Sequence, residues 1–104
     1  MGLYASSKAG VVMLTKCLAE EVIGHEIRVN YVSPATCAGG LDVKDPAFYD
    51  QLVRPTLKRM LGGRANQTED IGNAVAFLSS PLASRITGAG LLVDAGYSVN
   101  LQAA

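Results

Sequence analysis

Ile27-Arg-Val-Asn-Tyr-Val-Ser-Pro34 is short, rich in β-branched side chains and closed by a proline. Such a run predicts a strand over 27–33, because branched side chains suit a pleated surface and proline cannot donate to a ladder. Its flanks decide the fold class. Before it, residues 3–23 hold no proline and one glycine, Gly10. Ala5, Ala9 and Val12 share one stripe, and Gly10, Met13, Leu14, Cys17 and Leu18 the next, while Lys16, Glu20 and Glu21 come late. This pattern predicts a helix with a wide apolar face, stopped at Gly24 with His25 just past it.

After the strand, residues 35–45 lack a period and contain Gly39-Gly40, so they read as a loop. Asp45-Pro46 reads as an N-cap followed by a first-turn proline. Phe48, Tyr49, Leu52 and Val53 follow at helical spacing, and Pro55 splits the segment into two short helices. The second would carry Leu57, Met60 and Leu61 and stop at Gly62-Gly63. Thr68 reads as the next N-cap, with Glu69 and Asp70 in the first turn, where the helix dipole favours acids. Ile71, Ala74, Val75 and Leu78 then predict an amphipathic helix over 69–79, ended by Ser79-Ser80-Pro81. Gly90-Leu-Leu-Val-Asp94 reads as a buried strand over 90–94, closed by Ala95-Gly96.

Strands separated by helices pair in parallel, so the class is α/β. Two strands are too few for a parallel sheet, which is normally several strands wide and covered on both faces. The chain therefore reads as the end of something larger.

Composition narrows the function classes. In 104 residues, nine Lys and Arg balance nine Asp and Glu. No basic footprint for nucleic acid or an anionic membrane follows from that balance. Hydrophobic residues make up 49% and charged residues 17%, so disorder is not expected. Cys17, Cys37 and the single histidine, His25, lack the number and spacing of a metal site. Cys17 reads as a small core residue. The apolar run near the N-terminus is short and carries Lys16, so neither a signal peptide nor a membrane span is expected. These features predict a reducing, cytoplasmic setting.

Tyr4 and Lys8 stand four residues apart on the first helix, which places them on one face. A nearby ammonium favours tyrosinate, and a tuned phenol can give a proton to a carbonyl oxygen or take one from an alcohol. On spacing alone, a Tyr and a Lys so placed are more often a surface or half-buried pair than a reactive one.

Four blocks, in order, carry a family resemblance. They are Tyr4-Ala-Ser-Ser-Lys8-Ala-Gly, Ile27 to Pro34, Thr68-Glu-Asp-Ile-Gly-Asn-Ala-Val-Ala-Phe-Leu-Ser-Ser80 and Ile86-Thr-Gly-Ala-Gly-Leu-Leu-Val-Asp-Ala-Gly96. Together they resemble the C-terminal segment of the short-chain dehydrogenases/reductases. That resemblance implies the C-terminal part of a doubly wound Rossmann-type sheet and an oxidoreductase that moves a hydride between an alcohol and a carbonyl with NAD or NADP. It implies that Tyr4 is the general acid/base, and that Lys8 tunes it and bonds the nicotinamide ribose. Pro34, Ala35, Thr36 and Cys37 would line the nicotinamide through backbone groups. Residues 36–61 match the variable substrate loop, which makes Phe48, Tyr49 and Leu52 candidates for the substrate pocket or, equally, for helix packing.

Three departures accompany the match. Ala35 replaces the usual glycine after the proline, and Gly39 falls where many members carry a threonine. The Gly-rich pyrophosphate turn is absent, since Gly88-Ala-Gly90 leads into a strand instead of following one. The N-terminal dinucleotide-binding half is therefore expected to be missing and the chain inactive alone. A rival reading makes the chain a non-catalytic remnant that associates with a second copy through helix 3–23. The partners expected are a small alcohol or carbonyl substrate and, on the rival reading, such a copy, with no nucleic acid and no membrane.

Overall fold

The computed structural model describes residues 1–38 and 45–99. The proline-free N-terminal run forms α1, Gly2–Val22, with Thr15 and Ala19 buried. Thr15 donates its hydroxyl back to the carbonyl of Val11 at 2.9 Å, so this polar side chain is satisfied inside the helix. Leu3, Val11, Met13, Leu14 and Leu18 are exposed. Cys17 is exposed too, contrary to the core role expected of it. At about 100° per residue, Cys17 lies some 200° around the helix from both Thr15 and Ala19, opposite the buried stripe.

Gly24 is not the helix stop. The helix tightens into a 3₁₀ turn over Ile23–His25, and the chain reverses at Glu26, which is left-handed at φ 56°. The Glu26 N–H closes that turn on the carbonyl of Ile23 at 3.2 Å. The extra turn consumes Gly24 in a right-handed conformation and pushes the reversal two residues on.

The chain divides into two compact units: Met1–Val32 with Ala74–Leu91, and Ser33–Asn73 with Leu92–Ala104. In the first unit, residues 28–30 are tied largely by side chains. Asn30 donates to the carbonyl of Ile86 at 2.9 Å and accepts from the amide of Ala89 at 3.1 Å. The amide of Val29 donates to the hydroxyl of Thr87 at 3.1 Å. Arg28 donates to the carbonyls of Leu78 at 2.6 Å and of Ile86 and Ser80, both at 3.4 Å. Its cation thus sits where the helix ending at Ser79 exposes unpaired carbonyls. Because side chains take over these bonds, the regular ladder is shorter than the expected 27–33. Strand β1 is Tyr31–Pro34.

Strand β1 pairs with β2, Gly90–Val93, in a two-stranded sheet among the described residues. The bonds Tyr31 N–H to Ala89 O and Ala35 N–H to Val93 O keep one offset in one direction, so the pair is parallel. Gly90 lacks a Cβ because the ring of Tyr31 occupies that space. Asp94, expected in the strand, leaves it to build the turn that follows.

In the second unit, Asp45 caps α2, Pro46–Phe48, by accepting from the amides of Ala47 at 3.1 Å and Phe48 at 3.3 Å. Two short helices form, as expected, but a π turn and not a break at Pro55 joins them. The coil widens into a π turn over Tyr49–Val53 and continues directly as α3, Arg54–Leu57, with Pro55 in its first turn. The helix stops before Met60, which is buried, and a 3₁₀ turn follows over Leu61–Gly63. Gly62 at φ 74° and Gly63 at φ 66° supply the left-handed backbone.

Helix α4, Thr68–Ser79, takes in Thr68 instead of being capped by it. Asp70 does the capping, since one carboxylate oxygen accepts from the amide of Gln67 at 2.7 Å. Buried apolar side chains are few among the described residues: Ala19, Val53, Met60 and Ala83. Two short strands do not give the helices a broad enough sheet to bury their apolar faces against.

Candidate functional site

Tyr4 and Lys8 both project from the first turns of α1. The Lys8 ammonium lies 5.6 Å from the centroid of the Tyr4 ring, within cation–π reach. Tyr4 is 60% exposed, so its phenol is open to a reactant. Ser7 donates its hydroxyl to the Tyr4 carbonyl at 2.7 Å, which commits that serine to the helix backbone. Both members of the Tyr4–Lys8 pair belong to the first unit.

Pro34, Ala35, Thr36 and Cys37 belong to the second unit, where three backbone bonds hold the segment. Ala35 donates to Val93 O at 3.2 Å, Thr36 O accepts from Asn66 N–H at 3.0 Å, and Ala38 donates to Asn66 O at 2.7 Å. Cys37 and Asn66 thereby form an isolated parallel bridge. The Cys37 thiol is half-buried and donates to the Ala35 carbonyl at 3.4 Å. Gly39 and the stretch 39–44 of the expected substrate loop lie outside the described residues.

Phe48 and Tyr49 are half-buried, and Leu52 is 59% exposed. Arg54 stands 5.2 Å from the Tyr49 ring centroid and pairs with Asp50 at 3.0 Å. That ion pair is exposed on both sides, so it contributes little beyond local order. All three pocket candidates belong to the second unit.

The glycines near β2 are used internally. Gly88 donates its amide to Val29 O at 2.7 Å, and Gly90 lies against the Tyr31 ring. They form no cradle for a pyrophosphate. Within the first unit, the Tyr4 phenol and the Lys8 ammonium are donors of the kind a ribose hydroxyl would accept. Among the described residues, no three His, Cys, Asp or Glu side chains gather as metal ligands.

Asp94 organises the turn after β2. Its carboxylate accepts from the amides of Gly96 and Ser98, each at 3.0 Å, and from the Ser98 hydroxyl. The Ser98 hydroxyl and amide lead in holding its pKa below the usual carboxylate value. Sequence reading missed Arg28, Asn30 and Asn66, because each acts through carbonyls and amides distant in sequence and no local motif marks them.

Comparison with known proteins gives the family. A family model described as enoyl-(acyl carrier protein) reductase matches residues 1–98. Among curated relatives, the (21S)-21-acetoxyl-apo-melianone synthase SDR of Melia azedarach is 41% identical over 100 residues, covering 92% of this chain and 35% of its own length. The 3beta-hydroxysteroid dehydrogenase 1 of Eggerthella lenta is 40% identical over 97 residues, covering 92% and 36%. Among solved structures, a 4-hydroxyisoleucine dehydrogenase mutant complexed with NADH and succinate superposes with TM-score 0.80 at 26% identity, covering 93% of this chain and 40% of that one. A short-chain dehydrogenase/reductase mutant of Serratia marcescens gives 0.77 at 34% identity, covering 93% and 38%.

The chain belongs to the short-chain dehydrogenase/reductase family, and its α/β fold is part of that family's Rossmann-type sheet. It spans little more than a third of the length of the curated relatives it matches.

Proposed function

We propose that this chain is the catalytic-helix and closing-strand portion of an NAD- or NADP-dependent oxidoreductase that interconverts a small alcohol and its carbonyl compound in the cytoplasm. The observation that carries this reading is the exposed Tyr4 phenol with the Lys8 ammonium one helical turn away, 5.6 Å from its ring. Family membership supplies the reaction class.

The nicotinamide cofactor, when bound, gives or takes the hydride. Tyr4 holds the proton that moves to or from the substrate oxygen. The Lys8 ammonium stabilises negative charge on the phenol oxygen and donates to the nicotinamide ribose. Pro34, Ala35, Thr36 and Cys37 line the nicotinamide through backbone groups. Phe48, Tyr49 and Leu52 face the substrate, for which Leu52 has the free apolar surface. The pyrophosphate turn lies in an N-terminal half that the chain alone does not supply, so the segment by itself is inactive.

The test supplies that half, by extending the chain or fusing it to a relative's half. Tyr4→Phe keeps the ring and removes the proton. It lowers kcat by about 10²-fold or more and leaves cofactor affinity nearly intact. Normal turnover by Tyr4→Phe overturns the assignment. A second reading, association with another copy through helix 3–23, draws support from the exposed Val11, Leu14 and Leu18.

A further inference from the structure

Asn66 is 6% exposed, one of two buried polar residues among the described residues. Burial of an amide is costly unless its groups find partners. Here they do. Asn66 donates its amide N–H to Thr36 O at 3.0 Å and accepts at its own carbonyl from Ala38 at 2.7 Å. Its side-chain Nδ2 donates to Val93 O at 2.6 Å. That same carbonyl receives the Ala35 N–H at 3.2 Å. Two donors thus converge on the last residue of β2, one from the start of the segment 35–38 and one from the residue that brackets its far end.

The bridge geometry has a chemical consequence. In a parallel bridge, the residue paired with Asn66 is flanked by the two bonds and makes neither of them itself. Cys37 holds that position. Its own N–H and C=O therefore face away from Asn66, as a donor and acceptor presented side by side. An amide-bearing ring, which has one carbonyl and one NH₂ group, is the complementary ligand.

We propose that Asn66 is a positioning residue for the nicotinamide: its side chain fastens the backbone bridge to the end of β2 and so sets where Cys37 presents its N–H and C=O. This rests on the proposed function, in which Pro34, Ala35, Thr36 and Cys37 line the cofactor. Asn66 touches no reactant itself. Its backbone bonds survive any substitution, whereas the Nδ2 bond does not, and a side-chain variant isolates the fastening.

The experiment uses the full-length enzyme with NADH or NADPH as the probe. Asn66→Asp keeps the shape, removes the donor and sets a carboxylate oxygen against the Val93 carbonyl. The expected result is a KM and a Kd for the cofactor raised about tenfold, with kcat at saturating cofactor and the KM for the carbonyl substrate within about twofold. Exchange of the Ala38 amide with solvent speeds up in parallel. Asn66→Ser, which shortens the donor and adds no charge, gives the same split to a smaller degree and serves if Asn66→Asp does not fold. Unchanged cofactor affinity in a folded variant overturns the positioning role alone. A wild-type enzyme that binds neither cofactor overturns the proposed function and the positioning role together.

Discussion

The guanidinium of Arg59 stacks on the ring of Tyr97, 4.4 Å from its centroid, and donates to the Tyr97 carbonyl at 3.0 Å. Two residues on, Leu61 donates its amide to Ala95 O at 2.8 Å. The segment that follows α3 is thus hung on the turn after β2. That turn is held by Asp94, and Ala95 adopts φ 49° within it.

Removing either side of this clasp loosens the end of the helical segment. Arg59→Ala and Tyr97→Leu should each destabilise the fold modestly. The double variant should cost less than the two losses added, with a coupling of about 0.5–1 kcal/mol. Denaturant unfolding of the four proteins, each extended by a relative's N-terminal half, checks this. Strict additivity means that the two side chains do not act together.

Arg28 makes a larger contribution. Arg28→Met keeps much of the stem but leaves the carbonyls of Leu78, Ser80 and Ile86 without their cation. The expected loss is about 2–3 kcal/mol, since bonds from a charged donor exceed neutral ones. Arg28→Lys should recover part of it. Unfolding midpoints of both variants, in the chain extended by a relative's N-terminal half, measure the difference, and a midpoint unchanged in Arg28→Met contradicts the role.

The turn after β2 should respond to acid. Asp94 is held below its ordinary carboxylate value of 3.8 by the Ser98 hydroxyl and amide and by the Gly96 amide. A group whose folded pKa is depressed contributes its stabilisation above the unfolded value and loses it as pH falls through the folded one. The Ser98 amide resonance should therefore stay constant from neutrality down to about pH 4 and move only below it. Movement centred well above pH 4 contradicts these bonds. In Asp94→Asn the low-pH step should vanish.

Lys8→Met, made in the chain extended by a relative's N-terminal half, separates the two members of the helix pair. It should lower kcat and weaken cofactor binding, whereas Tyr4→Phe lowers kcat and spares binding. Steady-state kinetics with cofactor titration distinguishes them. Cofactor binding left intact by Lys8→Met means that Lys8 does not reach the cofactor.

The chain alone should self-associate and should not bind NADH or NADPH at micromolar concentration. Leu3, Val11, Met13, Leu14 and Leu18 are exposed on α1, and the glycines near β2 make no pyrophosphate cradle. Sedimentation at several concentrations and titration calorimetry check the two statements. A dilute monomer with one cooperative thermal transition contradicts the first, and micromolar binding the second.

Much was legible in the sequence because it is local. The proline-free run of α1, the Asp45-Pro46 cap, the apolar spacing of α4 and the Tyr4–Lys8 pair depend on residues within a few positions of each other. Helix period and capping chemistry act over that range. Tertiary structure decided the rest. The ladder shortened to Tyr31–Pro34 because Arg28, Val29 and Asn30 found partners fifty or more residues away. Cys17 turned outward because only the stripe of Thr15 and Ala19 is buried. Asn66 became a staple only when folding brought Thr36, Ala38 and Val93 to it. A buried amide takes its meaning from the carbonyls it meets, and which carbonyls those are is a property of the fold and not of the neighbouring letters.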